Sequence, residues 1–524
     1  MTTDEAIDSH QFWRSACAII GVSTILRITV IFLGPLQLYP DEAQYWVWSR
    51  HLDFGYFSKP PMIAWLIRAT TAIGGQGEAW VRLSSPLLHG GAAFALAATS
   101  CRFYGRRAGL AAALIYTLIP GVQLSSTIAS TDAPLLFLLS LAIWGYAVFS
   151  TTESARTRRW AALSMGAALG LGFLTKYAAL YIAGGIALHA LVSRDARRRW
   201  TPDVLALYVG AGVLLAAPNL LWNLAHHFQT VAHTAENADL GDEKGRLQSF
   251  FGARGPFGFL LGQFGVFGPV AFGVAAVAAW RAIRGRGPAP DVLLVCLAAP
   301  ALVLVLLESV AARANANWAG AAYAPATVLA AGAFERWRAR RLYTYGVLGL
   351  QGFAALAFLA AVMAPALADA VGAGNAFKRA RGWREDATAV IAAARANSAP
   401  QPLSAVAVDD RFLFNALSYY ARDGRGRPAG ALPAPLKMWV RLAHPANQAE
   451  TETPLTPALG GRVLGVSPPS LYLDAFRYDF TRVRMLSPYL TSLDRRHTRK
   501  LDLFIGEDFH PRPRDPLTGV PISP

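Results

Sequence analysis

Apolar runs of about 20 residues, each enough to cross a hydrocarbon core roughly 30 Å thick, recur through positions 1–370 of this 524-residue chain. Inside lipid a backbone has no water to bond, so runs of this kind are helices packed on one another. Composition removes the alternative of a soluble enzyme: hydrophobic residues are 54% and charged residues 16%, against roughly 25% charged in ordinary soluble domains. The chain therefore reads as mostly α, a polytopic membrane helical bundle. Its spans fall at about 16–33, 82–100, 108–124, 132–150, 160–175, 177–193, 203–222, 257–280, 290–310, 318–334 and 343–368, eleven in all. Two of them meet at 175–177 with almost no loop.

A net charge of +16 would suit a nucleic-acid binder if the basic residues shared a surface. They form short clusters between apolar runs instead: Arg102/Arg106/Arg107, Arg156/Arg158/Arg159, Arg194/Arg197/Arg198/Arg199, Arg281/Arg284/Arg286 and Arg336/Arg338/Arg340/Arg341. Intervening loops such as 125–131 and 311–318 carry at most one basic residue each. This is the positive-inside pattern, so no nucleic-acid partner is expected and the N-terminus is cytoplasmic. An odd span count then puts the C-terminal segment outside. The first run is too long for a signal-peptide core and lacks a small-residue cleavage site, so it reads as a retained span. Cys17, Cys101 and Cys296 lie in or beside apolar runs without the spacing of a metal site or a disulfide framework. They read as small packing hydrophobes.

Two outer segments are long enough to fold. The first, 34–80, holds Tyr45, Trp46, Trp48 and Tyr56, aromatics that suit a membrane interface. From Pro60 onward it reads as an amphipathic interfacial helix with Met62, Trp65 and Leu66 on one face. The second, 223–256, is polar and reads as a lid over an external cavity. After about position 374 the long apolar runs stop, and β-type stretches appear at 403–408, 462–466 and 501–505, with a helix over 410–420. The expected division is a membrane domain, 1–374, and a small external α/β domain, 375–524, whose Pro-rich end is flexible.

The strongest local signal is Tyr39-Pro40-Asp41-Glu42, two adjacent carboxylates just past the first span. Chemically they offer a general base for an acceptor hydroxyl, whose own pKa lies far above 7, or a divalent-cation site with water completing the shell. The structural reading is a helix N-terminus, where acids favour the positive end of the dipole. Lys59, in Ser58-Lys59-Pro60-Pro61, is either a clamp for a lipid-linked phosphate or a lysine snorkelling to bulk headgroups. Asp132, in Ser130-Thr131-Asp132-Ala133-Pro134, is either part of a helix cap or an acid aimed into an external cavity. Lys176 is flanked by apolar spans, where a charge usually marks an ion or substrate path, and its partner is a phosphate or a carboxylate such as Asp132. Arg313 is the single cation of its outer loop and suits bidentate phosphate contact. His226 and His227 are adjacent and do not share a helix face, so they read as polar interface residues rather than a metal pair. Neither GxxxxGK[ST] nor a strand-borne GxGxxG is present, which disfavours nucleotide-driven transport.

These pieces together resemble the integral-membrane glycosyltransferases of the GT-C fold, of the bacterial glycosyltransferase family 39 and lipid A aminoarabinose transferase type. The resemblance rests on Asp41-Glu42, Lys59-Pro60-Pro61, Thr131-Asp132, Gly172 to Tyr177 and Asn315-Ala316-Asn317-Trp318, and covers most of the first 320 residues. It implies a bundle of 11–13 helices in the bacterial inner membrane, a periplasmic C-terminal domain and an inverting hexosyl or pentosyl transfer. The implied donor is a polyprenyl-phosphate sugar and the acceptor an envelope lipid or glycan such as lipid A or its core. On this resemblance Asp41 orients or deprotonates the acceptor, Glu42 supports it and Asp132 belongs to the catalytic acids. Lys59, Lys176 and Arg313 hold the donor phosphate, and Tyr45, Tyr56, Tyr177 and Asn317 complete the binding region. A phosphate-held leaving group needs no separate general acid. No cofactor is required, though Asp41/Glu42 leaves a divalent cation open. Competing readings are a protein O-mannosyltransferase, a flippase for lipid-linked sugars, which would favour inverted repeats that are not visible, and an assembly subunit.

Overall fold

The computed structural model describes residues 9–237, 255–311, 314–422, 430–442 and 444–515. Most of the expected lid, at 238–254, lies outside the described residues, as do Arg313 and the tail 516–524. Two compact units emerge, one of 1–33 with 53–360, the other of 34–52 with 361–524. The segment 34–52, expected in the membrane domain, thus groups with the C-terminal residues.

The first unit is helical. Among the described residues five helices are long and apolar enough to cross a membrane: Ser9–Leu33, Asp132–Thr151, Pro202–Ala225, Ala289–Val310 and Arg340–Met363. Two bent pairs raise this to seven, Arg106–Leu118 with Pro120–Thr127, bent by 61°, and Pro256–Phe267 with Pro269–Ile283, bent by 117°. Both breaks precede a proline, which lacks an N–H and clashes with the preceding turn. Other expected spans are helices too, Ser84–Tyr104, Ala155–Phe173, Leu180–Val192 and Tyr323–Arg336, though they fall outside that group.

Small residues set the packing. Alanines 92, 93, 97, 112, 113, 330 and 331 are buried together in the central cluster, and small side chains let helix backbones approach closely where lipid supplies no hydrophobic drive. At the crossing of Ala155–Phe173 with Pro202–Ala225, a Cβ on Gly166 would stand 2.0 Å from the Tyr208 carbonyl oxygen. Only glycine fits there.

One buried cation holds the first break. Arg27, in the middle of Ser9–Leu33 and 1% exposed, donates from Nη2 to the Thr117 carbonyl at 2.6 Å and from Nε to Gln123 Oε1 at 3.4 Å. The Gln123 amide donates to the same carbonyl. Ile119 is extended and Pro120 restarts the helix, so these side chains replace the helical bonds lost at the break.

The arginine-rich loops meet in ion pairs. Arg336 bonds Asp291 at 2.6 Å and Arg107 reaches Glu335 at 3.9 Å, while Arg159–Asp203 and Arg199–Glu153 stand at 2.7 and 2.9 Å. Tyr104 donates to Asp291 as well, at 2.6 Å.

The second unit carries a six-stranded sheet: β1 (Ala405–Val408), β2 (Leu436–Met438), β3 (Arg462–Ser467), β4 (Phe480–Met485), β5 (Tyr489–Ser492) and β6 (Thr498–Phe509). Its order is β2-β1-β3-β6-β4, with β5 pairing β6. β1 is parallel to both β2 and β3, and β6 runs antiparallel to β3, β4 and β5. Trp439, Phe476, Phe480 and Phe504 pack on one face. The helix Arg411–Tyr420 follows β1 and is capped by Asp410, which accepts from the Leu413 N–H at 2.8 Å. The segment 34–52 docks onto this unit. Trp46 meets Tyr419 edge-on at 5.0 Å, the Leu38 N–H donates to Tyr420 Oη at 2.8 Å, and Gln37 bonds Glu385 and the Trp383 N–H at 2.8 and 2.7 Å.

Candidate active site

Within the helical unit the sequence from Asp53 to Pro61 forms an irregular loop tied down at several points. Phe54 carbonyl accepts from Asn219 Nδ2 at 2.8 Å, and Tyr56 carbonyl accepts from Thr230 Oγ1 at 2.7 Å. The Tyr56 N–H donates to the Lys59 carbonyl at 3.0 Å. Trp65 Nε1 donates back to the Asp53 carbonyl at 3.0 Å, and Tyr56 Oη accepts from the Asp53 N–H at 3.2 Å. A Cβ on Gly55 would fall 2.3 Å from the Trp222 ring, so glycine lets the loop pass that indole. The helix after the proline pair runs Met62–Gly74 and buries Ile63, Ala64, Ile67 and Thr71. Met62, Trp65 and Leu66, the face expected from the sequence, are half-buried.

The Met62 N–H donates to the Leu174 carbonyl at 3.0 Å, which brings the Lys59 turn against the turn carrying Lys176. There Thr175 Oγ1 and the Thr175 and Lys176 N–H groups bond the Gly172 carbonyl, closing the tight junction between apolar helices. Lys176 Nζ donates to Asp132 Oδ1 at 3.0 Å, the carboxylate partner named from the sequence. Asp132 opens the helix Asp132–Thr151, and no side chain at Thr131 caps it. With both side chains between a quarter and a third exposed, the pair is accessible yet too enclosed for water to screen fully.

This pair lines a small pocket of about 40 Å³ with Ser125, Asn317 and Tyr323 on the polar side and Val122, Leu135, Leu136, Val266 and Trp318 on the apolar side. A cation beside an apolar wall suits an amphiphile with an anionic head. The wall at 316–322 is a 3₁₀ segment pinned by Gln263, whose Nε2 donates to the Ala316 carbonyl at 3.1 Å while Oε1 accepts from Tyr323 Oη at 2.8 Å. Tyr177 faces a separate amide cluster, donating to Asn219 Oδ1 and accepting from Asn223 Nδ2, both at 3.2 Å. His89 bridges Tyr116 and Ser125 at 2.9 and 3.0 Å. Gln263, Asn219, Asn223 and His89 were not singled out from the sequence; polar residues on apolar helix faces are the signal that would have found them.

Asp41 and Glu42 belong to the other unit and differ from each other. Glu42 is 1% exposed, and its Oε2 accepts from the Tyr39 N–H at 2.8 Å at the start of the helix Pro40–Trp48. It does the work of a helix cap. Asp41 is exposed in the same first turn. Tyr45, expected at the interface as a binding residue, is buried with its ring 5.4 Å from Trp48. Tyr56 is buried as well and acts on its loop. His226 stacks on Trp222 at 4.0 Å. No group of three or more His, Cys, Asp or Glu able to hold a metal occurs among the described residues.

A family model described as dolichyl-phosphate-mannose-protein mannosyltransferase matches residues 58–222, the stretch holding Lys59, Asp132 and Lys176. The chain is 36% identical over 458 residues to the lipid A galacturonosyltransferase RgtD of Rhizobium johnstonii, covering 86% of this chain and 90% of that protein. It is 30% identical over 232 residues to an undecaprenyl phosphate-alpha-4-amino-4-deoxy-L-arabinose arabinosyl transferase of Pseudomonas aeruginosa, covering 39% of this chain and 40% of that one. Among solved structures, ArnT of Cupriavidus metallidurans in the apo state shares the fold, with a TM-score of 0.63 at 17% identity over 95% of this chain and 98% of that chain. The same protein bound to undecaprenyl phosphate gives the same score. The chain thus belongs to the GT-C family of integral-membrane glycosyltransferases, the family of the lipid A galacturonosyltransferase it matches nearly end to end.

Proposed function

We propose that this multi-pass inner-membrane enzyme moves a sugar from a polyprenyl phosphate to lipid A on the periplasmic side, with galacturonic acid the first sugar to test. The observation that carries the reading is the Lys176–Asp132 pair in an amphipathic cavity, supported by the match over 86% of the chain to a lipid A galacturonosyltransferase. An ammonium donates charge-assisted hydrogen bonds to a phosphate, and the apolar wall accepts the first isoprene units. Lys59, whose turn is bonded to the Lys176 turn, adds a second cation. Transfer leaves the polyprenyl phosphate as the leaving group, already an anion held by cations, so no general acid is needed. Asp41, exposed and at a helix N-terminus, takes the proton of the acceptor hydroxyl, and Glu42 fixes the turn that carries it. The arginine clusters, joined loop to loop by ion pairs, mark the cytoplasmic face under the positive-inside rule, with the C-terminal unit periplasmic.

The family description favours a second acceptor, a protein hydroxyl. Purified enzyme incubated with polyprenyl-phosphate galacturonic acid and either lipid A or a Ser/Thr-rich peptide separates the two. Mass gain on lipid A alone, lost in Asp41→Asn, is expected; gain on the peptide alone would replace the reading.

A further inference from the structure

The sheet of the C-terminal unit has its own crevice, lined by none of the candidate active-site residues. The chain runs from β1 to β2 on one side and crosses back to β3 on the other, so the strand order reverses between β1 and β3. In parallel sheets ligands bind outside the carboxyl ends of strands where the order reverses, because the two outgoing connections diverge and leave a gap. A cavity of about 390 Å³ lies there. Its lining comes from the residues that directly follow all three parallel strands: Asp409, Asp410 and Arg411 after β1, Trp439 and Arg441 after β2, and the segment from Pro468 to Tyr472 after β3.

The polar groups of this crevice are not all spent on the fold. Asp409 Oδ2 accepts from Ser467 Oγ at 2.7 Å, but the buried Oδ1 has no hydrogen-bond partner among the described residues. A buried acceptor left unmade costs about 1–3 kcal/mol, which a ligand hydroxyl would relieve. The Arg441 guanidinium lies 4.0 Å from the centre of the Tyr472 ring and donates no hydrogen bond to a described side chain. Trp439 and Asp410, by contrast, are committed to Asp479 and to the Leu413 N–H.

The chemistry of the lining selects the occupant. An acceptor and a five-donor fork lining one crevice, neither spent on a hydrogen bond to a described side chain, ask for a ligand that both donates and accepts, as vicinal hydroxyls do. Acids and bases are both present, Asp409, Asp410 and Glu450 against Arg411 and Arg441, so the field does not single out a simple anion or cation. Two prolines and the edge of Tyr472 add flat apolar surface for the C–H face of a ring. We propose that the crevice at the carboxyl ends of β1, β2 and β3 is a saccharide-binding site, with Asp409 and Arg441 bonding ring hydroxyls. Its use in gripping the glycan part of the acceptor rests on the acceptor reading above; the binding itself does not.

Saturation-transfer difference NMR on the detergent-solubilised full chain tests the site, with glucose, galacturonic acid and glucosamine as probes and inorganic phosphate as competitor. Saturation should reach the ring protons in the wild type and in Lys176→Met. One lost charge-assisted bond corresponds to about tenfold weaker binding or more, so the signal should collapse in Asp409→Asn and in Arg441→Ala. Arg441 is a partly exposed loop residue, so its variant keeps the test valid if Asp409→Asn fails to fold. Unchanged sugar signals in both variants would overturn the site, as would displacement of the sugars by phosphate. Arg441→Ala should also raise KM for an acceptor bearing its core glycan and leave an acceptor stripped of it unaffected. Equal KM for both would end the acceptor role. A wild type that binds sugars but transfers none would instead count against the proposed function.

Discussion

Replacing Lys176 by methionine removes the ammonium that bonds Asp132 at 3.0 Å while keeping a side chain of similar length. A hydrogen bond to a charged group contributes about 1.5–3 kcal/mol. If the same ammonium bonds the donor phosphate, affinity for a polyprenyl phosphate should fall about 10- to 150-fold at 1.4 kcal/mol per factor of ten. The variant also strands a half-buried carboxylate, so some stability is lost for a reason unrelated to the donor. Asp132→Asn separates the two effects. It keeps the shape, frees the ammonium, and should leave donor affinity equal or higher. The double variant Lys176→Met/Asp132→Asn should recover thermal stability without recovering binding. Native mass spectrometry of the solubilised enzyme titrated with undecaprenyl phosphate reads the affinities. Wild-type affinity in Lys176→Met, or a loss in Asp132→Asn as large as in Lys176→Met, would refute the assignment of Lys176 to the phosphate.

Gly55→Ala puts a methyl 2.3 Å from the Trp222 ring; overpacking of this kind costs about 1–3 kcal/mol, and the thermal midpoint should fall while Gly75→Ala, which meets no atom, tests the strain of a positive φ alone. Glu42→Ala should lower the stability of the C-terminal unit by about 1.5–3 kcal/mol through loss of a bond to a charged group; unchanged unfolding with lost turnover would make it a reacting group instead of a cap. Burial pushes the Asp409 carboxyl from 3.8 up to about 6, so the folded state holds that proton where the unfolded chain has released it. Its contribution is present below about pH 4 and lost as pH rises through 6. Denaturant unfolding should show this fall in the wild type and a flatter profile in Asp409→Asn.

Much of the architecture was legible because its signals are local. Strands expected at 403–408, 462–466 and 501–505 and a helix at 410–420 correspond to β1, β3, the middle of β6 and Arg411–Tyr420. The Lys176 partner was legible too, since a charge between apolar helices needs one. β4 and β5 were not: FTRVRM and YLTS are short and mostly exposed, so they lack the apolar alternation that marks a strand. Arg27 is flanked by apolar residues within a 25-residue helix and does not interrupt its hydropathy. Glu42 and Asp41 look alike in sequence, and only the bond from the Tyr39 N–H divides their roles. The attachment of 34–52 to the C-terminal unit depends on contacts across more than 340 residues, Gln37 with Glu385 and Leu38 with Tyr420, which no local pattern encodes.

Sugar transfer to lipid A is tested most directly by mass spectrometry of lipid A from cells that have the enzyme, lack it, or carry Asp41→Asn. The expected result is one glycosyl mass missing without the enzyme, restored by the wild type and not by Asp41→Asn. Lipid A of identical mass in all three strains would contradict it.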